Sequence, residues 1–320
     1  MILFRMGGNI MSENVSYTPE EVANILKISR FTVYEMIKRG ELQAYRIGRK
    51  MRIEANDLEA YKQRGKGLQQ VGKVETKPFV PSIQSGEGFI VCGQDIALDI
   101  LTRHLGRINP NQPVLRNHVG SFDGLLSLYH GKANVATAHL WASDVDEYNI
   151  PYVRRLLPGV NAVVINLAYR MAGLYVHASN PHEIATWSDL SKSGIRFINR
   201  EKGSGARVLL DEQLKRHKIG YRKITGYDTE ETSHMAIASA IARGDADAGV
   251  GIEKVAMQVK DIIFIPLQRE QYDIIIRKED LEQANFQELL AVLRSQAFKN
   301  EVLGMGHYDV SRMGEIVAEV

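Results

Sequence analysis

A single cysteine, Cys92, in 320 residues excludes an intrachain disulfide and any zinc site built from several thiolates. Long apolar runs are missing as well, and no segment approaches the roughly 20 consecutive apolar residues that cross a bilayer. The opening MILFRMGGNIM sets one arginine inside a short apolar patch. Neither a long apolar core nor a small-residue cleavage site follows, so a secretory signal is not expected, and Met11 serves as well as Met1 as a start. Residues 1–16 are therefore read as a disordered or alternative-start leader, and the protein as cytoplasmic with no membrane partner. The chain also lacks the GxxxxGK[ST] phosphate loop, a metal-ligand cluster and any Ser/His/Asp constellation of readable spacing. Nothing then points to an enzyme, a bound metal or a cofactor.

A strong net charge is absent too, but the balance of +2 is unevenly spread. Residues 17–66 hold eleven Lys/Arg against seven Asp/Glu, an excess of four, which leaves the remainder at −2. A basic head on a slightly acidic body suits a polyanion-binding module joined to something else.

The head reads YTPEEVANILKISRFTVYEMIKRGELQAYRIGRKMRIEANDLEAYKQR over residues 17–64. Thr18 is placed to cap a helix, with Pro19 at its first position, acids at Glu20 and Glu21, and the capping-box spacing from Thr18 to Glu21. Val22, Ile25 and Leu26 form its apolar face, and Lys27 to Ser29 make a tight turn. Ser29 caps a second helix whose Val33, Met36 and Ile37 face inward, while Arg30, Thr32, Tyr34 and Lys38 are free to face out. Gly40 stops that helix, and a hairpin with its tip at Gly48-Arg49-Lys50 follows. Arg46, Arg49, Lys50 and Arg52 line this wing before a third helix carrying Leu58 and Tyr61.

The order helix, turn, capped helix, basic hairpin, helix resembles the excisionase-type winged helix-turn-helix family, related to the mercury-type regulators. The resemblance implies double-stranded DNA as partner. The second helix would enter the major groove, with Arg30, Thr32 and Tyr34 near bases, Ser29 and Lys38 also at the DNA, and the wing cations mostly on phosphates. A solvated basic face is the bland alternative.

Residues 67–87 are polar and punctuated by Pro78 and Pro81, and read as a linker. Beyond them strands and helices alternate: GFIVCG, then a helix from Asp95; PVLRNHVG, then a helix from Phe122; NVATAHL; the long VVINLAYRMAGLYVHA, too long for one ordinary strand; IRFINR, DAGVGI, IIFIP and YDIIIRK. That pattern predicts an α/β body with mostly parallel sheet over residues 88–320. The stretches at 163–176 and 271–277 look like crossings between two lobes, one of about 88–165 and 272–320, the other of about 166–271.

The motifs HVGSFDGLLSLYHGKANVATAHL, FINREKGSGARVLLD and ARGDADAGVGIE make this body resemble the type II periplasmic-binding-protein fold, in its PBP-like form related to molybdate-binding proteins. Several strand-to-helix turns share one chemistry: Gly93-Gln94, Gly120-Ser121, Gly203-Ser204-Gly205-Ala206-Arg207, and Thr232-Ser233-His234. Each sets free backbone N–H groups at a positive helix end, an anion site in outline, although an ordinary N-cap does the same. His139 and Tyr272 are candidates for the wall; Arg207 suits either an oxyanion or a surface ion pair, and Cys92 and Asp95 suit core and helix cap.

Together these features predict a one-component, ligand-responsive transcriptional regulator, acting as a homodimer or higher homo-oligomer. The resemblance implies molybdate or tungstate as effector. A small organic ligand, such as an amino acid or carboxylate, and a role in molybdenum cofactor metabolism stay open as alternatives, since one fold hosts many functions.

Overall fold

A computed structural model of the chain describes residues 16–38, 42–48, 50–55, 57–58, 61–62 and 88–320. The expectations for the leader before Ser16, for Gly40 and Arg49, and for the 67–87 linker lie outside these residues. The chain divides into two compact units, residues 1–78 and 79–320.

The first unit comprises β1 (Ser16–Tyr17), α1 (Pro19–Leu26), α2 (Arg30–Lys38), β2 (Tyr45–Ile47) and β3 (Lys50–Glu54). Thr18 and Glu21 close a reciprocal capping box on α1: the Glu21 N–H donates to Thr18 Oγ1 at 3.3 Å, and the Thr18 N–H to Glu21 Oε2 at 2.7 Å. Ser29 then caps α2 by accepting from the Thr32 N–H at 3.1 Å. Val22, Ala23, Val33, Met36, Leu42, Ile53 and Leu58 form one small core. Ile25 departs from the expected inner face and is 41% exposed. Eight residues make barely two turns of α1, and Val22, Ala23 and the half-buried Leu26 already span its inward face.

The hairpin pairs Tyr45 with Arg52 and Arg46 with Met51. Lys50 and Arg52 therefore share one face with Tyr45, and Arg46 lies on the face that also carries Ile53 of the core, because side chains alternate along a strand. Helical backbone resumes at 55, 57–58 and 61–62.

The second unit begins with β4 (Phe89–Cys92), α3 (Ala97–Ile108), β5 (Val114–Asn117), α4 (Ser121–Tyr129) and β6 (Ala136–Ala138). A small hairpin of β7 (Trp141–Ala142) and β8 (Glu147–Tyr148) leads to α5 (Ile150–Leu156) and the long β9 (Ala162–His177). Then come β10 (Phe197–Arg200), α6 (Gly205–Arg216), β11 (Glu230–Glu231), α7 (His234–Ala242), β12 (Ala248–Ile252) and α8 (Glu253–Ala256). The second long strand, β13 (Ile262–Arg277), precedes α9 (Ala284–Arg294), α10 (Gln296–Gly304) and β14 (Ile316–Glu319).

Two lobes hang on β9 and β13, 16 residues each, which pair antiparallel along their whole length. The first half of β9 and the second half of β13 carry β14 and β6; the other halves carry β12, then β10 and β11. Each lobe has its own cores. Val163, Ile165, Leu167, Ile274 and Ile276 pack under α3, α9 and α10 in one, and Leu174, Val176, Phe197 and Val250 pack against α6 in the other. Trp141 packs with this second core, with Tyr148 beside it.

Two expectations are corrected here. The sheet is mixed rather than mostly parallel: β4–β5, β10–β11 and β10–β12 are parallel, whereas every pairing made by β9 and β13 is antiparallel. In addition, β9 is one strand despite its length, and IIFIP and YDIIIRK are the two ends of β13. The polar stretch between them, Gln268-Arg269-Glu270-Gln271, crosses from lobe to lobe, and the register slips between Pro266 and Gln268. Proline offers no N–H to the ladder, so a bulge at this point keeps the strand continuous where the sequence suggests a break.

Candidate functional site

Between the lobes lies a cavity of ≈ 440 Å³, lined from one side by residues 93–96, 118–121, Thr137, His139 and Tyr308, and from the other by Arg200, Ser204, Gly205, residues 232–235, Ile252, Lys254, Val255 and Gln258. Arg170 and Tyr272, on the two long strands, complete it.

Arg170 is the one arginine in a mostly apolar β9, and it organises the floor. Its Nε donates to Glu270 Oε2 at 2.7 Å, its Nη1 pairs with Asp95, and its guanidinium stacks on the Tyr272 ring at 4.4 Å. Tyr308 donates to Asp95 at 2.9 Å, and Asp95 accepts from the Ala97 N–H at 2.7 Å, so it caps α3 and holds Arg170 together. Glu270 also meets His139 Nδ1 at 2.6 Å. Burial alone would raise the Glu270 carboxyl, but Arg170 and His139 outweigh it and hold the group at about 2. Glu270 is thus ionised, and His139 Nδ1 is the donor. Two carboxylates outnumber the single Arg170, so the floor has no cationic charge left for an anion.

Arg200 differs. It is 2% exposed and gives Nε to Glu201 at 2.6 Å and Nη2 to Gln94 Oε1 at 2.6 Å and to Glu201 Oε1 at 2.7 Å. Its Nη1 has no partner among the described residues. The strand-end position of Arg200 in β10 places it where ligand sites form in α/β folds.

Three helix N-termini converge on the same space: α4 at Gly120-Ser121, α6 at Ser204-Gly205, and α7 at Ser233-His234-Met235. Their first-turn N–H groups have no intrahelical acceptors and carry the positive end of each dipole. Ser204 and Ser233 cap α6 and α7 by accepting from the Arg207 and Ala236 N–H groups at 3.3 and 3.0 Å. His234 adds a buried Nδ1 with no hydrogen-bond partner. Burial, then the charges of Arg200 and Arg170, keep its pKa well below the ordinary histidine value, so the ring is neutral.

Glycine is required at two points of this wall. A Cβ on Gly93, whose φ is 145°, would sit 2.1 Å from Thr137 Oγ1, and one on Gly205 would lie 2.4 Å from the His139 ring. The lobes touch across the mouth: Gln94 meets Arg200, the Phe122 N–H donates to Gly203 O at 3.0 Å, and Lys254 meets Met305 O.

Of the residues singled out in the sequence, Gly93, Gln94, Ser121, His139, Ser204, Gly205, Ser233 and Tyr272 line the cavity; Gly203, Ala206 and Arg207 do not. Arg207 is held elsewhere: it donates to Glu230 at 3.0 Å and to Arg200 O at 3.1 Å, and it stacks on Tyr227 at 4.2 Å. As the third residue of α6 it sits beyond the turn that faces the ligand space. The Thr232-Ser233-His234 turn singled out in the sequence also lines the cavity, whereas sequence reasoning missed Arg170, Arg200, His118, Thr137, Lys254 and Tyr308. A signal existed for two: a lone arginine in an apolar run, and an arginine at the carboxyl end of FINR.

On the head, Ser29, Arg30, Tyr34 and Lys38 are exposed and Thr32 is half-buried; on the wing, Arg46 and Lys50 are exposed and Arg52 is half-buried. Phe31, not anticipated, is 75% exposed on α2.

Residues 16–66 match a helix-turn-helix domain, and residues 102–294 match the PBP superfamily domain. The uncharacterized protein YvgK of Bacillus subtilis (strain 168) is 40% identical over 311 residues, covering 97% of this chain and 100% of that protein. An uncharacterized protein from the ferredoxin 2Fe-2S gene 5' region of Clostridium pasteurianum is 46% identical over 113 residues, 35% of this chain and 100% of its own length. Among solved structures, a candidate phosphate ABC transporter substrate-binding protein with bound phosphate from Clostridium perfringens aligns at TM-score 0.52 and 14% identity, over 69% of this chain and 98% of that one. The effector-binding domain of a BenM variant aligns at TM-score 0.50 and 14% identity, again over 69% and 98%. At such identities the two structures speak for the two-lobed fold alone. With its helix-turn-helix DNA-binding head and two-lobed body, the chain belongs to the PBP superfamily domain family.

Proposed function

We propose that this protein is a ligand-responsive transcriptional regulator whose cleft seats a compact anionic group between the lobes. One observation carries the reading: Arg200, paired with Glu201 and with no partner for Nη1 among the described residues, stands in the same cavity as three helix N-termini drawn from both lobes. An anion there would draw on both lobes at once, and only such a difference in affinity between open and closed states can shift their balance. Molybdate and tungstate, the tetrahedral dianions implied by the sequence resemblance, are the compact form of such a ligand. The head would deliver the output as a homodimer over two half-sites, with an excisionase-like wing on the phosphates.

The test is thermal unfolding of the full chain against molybdate, tungstate, sulfate and phosphate, repeated with Arg200→Gln. An anion at 100 times its Kd should stabilise by about 2.7 kcal/mol, a shift of roughly 5–10 °C for a domain of this size. Arg200→Gln should abolish most of that shift. Absence of a shift with any anion, inorganic or organic, would count against the cleft.

A further inference from the structure

We infer that the effector is an organic anion, a compact charged head carried on an apolar body of roughly ten to fifteen non-hydrogen atoms, rather than a bare inorganic oxyanion. The inference rests on the anion cleft proposed above and extends it from the head group to the whole ligand.

Volume is the first argument. A tetrahedral oxyanion displaces on the order of two or three waters, about 60–90 Å³ at about 30 Å³ each. The cavity measures ≈ 440 Å³, several times that. The surplus would then have to be filled with water or with the rest of a larger ligand.

The aliphatic part of the wall bears on the choice. Among polar residues that include Gln94, His118 and Lys254, the lining carries Ile96, Val119, Met235, Ile252 and Val255, with the Tyr272 and Tyr308 rings behind. Water held in a cavity needs two to four polar partners, and aliphatic side chains supply none. Ile96 and Met235 are 47% and 41% exposed, an arrangement that costs free energy unless something apolar covers them.

Polar groups stand beside these aliphatic side chains. Lys254 and Gln258 lie on the segment that carries Val255, and His234, with its orphaned Nδ1, adjoins Met235. The neutral ring donates or accepts at Nδ1 according to its tautomer, so it serves an oxyanion or a polar group of a larger ligand equally. A hydroxyl or amide on the body of the ligand would pair this buried nitrogen, which has no partner among the described residues.

Matched pairs of probes separate head from body. Isothermal titration of the full chain would compare acetate with benzoate, and inorganic phosphate with phenyl phosphate, alongside molybdate. The aromatic member of at least one pair should bind at least tenfold more tightly than its small counterpart. Met235→Trp, a change that fills the apolar end, should bring the affinity ratio between the aromatic and small members of the pair close to one. Arg200→Gln should weaken both members of the pair. If the small anion or molybdate binds as tightly as or tighter than the aromatic probes, the organic body is refuted while the anion cleft stands. An aromatic advantage indifferent to Met235→Trp would place the body elsewhere and overturn the inference. If no probe binds, both readings fall together.

Discussion

Asp273 is fully buried, and its three partners are all amides: Asn149 Nδ2 and Gln271 Nε2 donate to Oδ2 at 2.7 Å each, and Asn166 Nδ2 donates to Oδ1 at 3.0 Å. Burial pushes its pKa up to about 6, and these hydrogen bonds only partly oppose the shift. The sign follows directly. Below the unfolded value of 3.8 both states are protonated and no penalty exists; as pH rises through 6 the folded state must hold a buried charge, and stability is lost. Asp273→Asn should therefore stabilise the body at pH 7 by about 2 kcal/mol. Asn166 Oδ1, which has no partner among the described residues, can accept from the introduced amide once Asn166 flips. Thermal unfolding at several pH values between 4 and 8 checks this: the variant should show the flatter profile, and a lower melting temperature at pH 7 would mean that the charge is needed. Asp273 was invisible in the sequence, where it is one acid at the edge of an isoleucine run.

The N-terminus of α6 is the element on which the cleft depends. Its role was legible, because a strand followed by Gly-Ser-Gly can only turn sharply and open a helix with its amides exposed. Which of those residues face the ligand was not legible, since that depends on the helix phase relative to the other lobe. The phase turns Gly205 onto the His139 ring and Arg207 toward Tyr227. Gly205→Ala should cost about 1–3 kcal/mol through overpacking and, by displacing His139 from Glu270, should weaken anion binding. Gly220→Ala, where a Cβ meets nothing within 4 Å, is the control. Equal melting temperatures for the two variants would show that the His139 contact is soft. The long strands teach the complementary lesson. Buried on both faces, β9 reads as a continuous apolar run, whereas β13 is broken in sequence by the residues that cross between lobes.

At the scale of the whole molecule, the proposed regulatory function requires that ligand and DNA affect each other's binding. If an anion alters DNA affinity, DNA must alter anion affinity by the same factor. The head can be tested separately from this coupling. Replacing Lys50 and Arg52 by Ala together removes two cations from one face of the hairpin. Affinity should fall for every DNA sequence, and the slope of log K against log salt should become shallower by up to about 2, at roughly 0.9 per phosphate contact. Fluorescence anisotropy at several salt concentrations measures it; an unchanged slope would remove the wing from the interface.

The sequence by itself determined the capped helices, the basic hairpin, the division into head and body and the α/β character of the body, because each rests on near-neighbour chemistry: caps, glycine stops, the period of apolar residues. It also marked most of the turns that line the cleft. Only the tertiary structure decided the rest. Arg170 and Arg200 lie 30 positions apart, and Asp95 and Tyr308 more than 200, yet all four reach one cavity. Arg200 meets one carboxylate, that of the neighbouring Glu201, whereas Arg170 meets two, Asp95 and Glu270, brought from distant parts of the chain, and no local pattern encodes that difference.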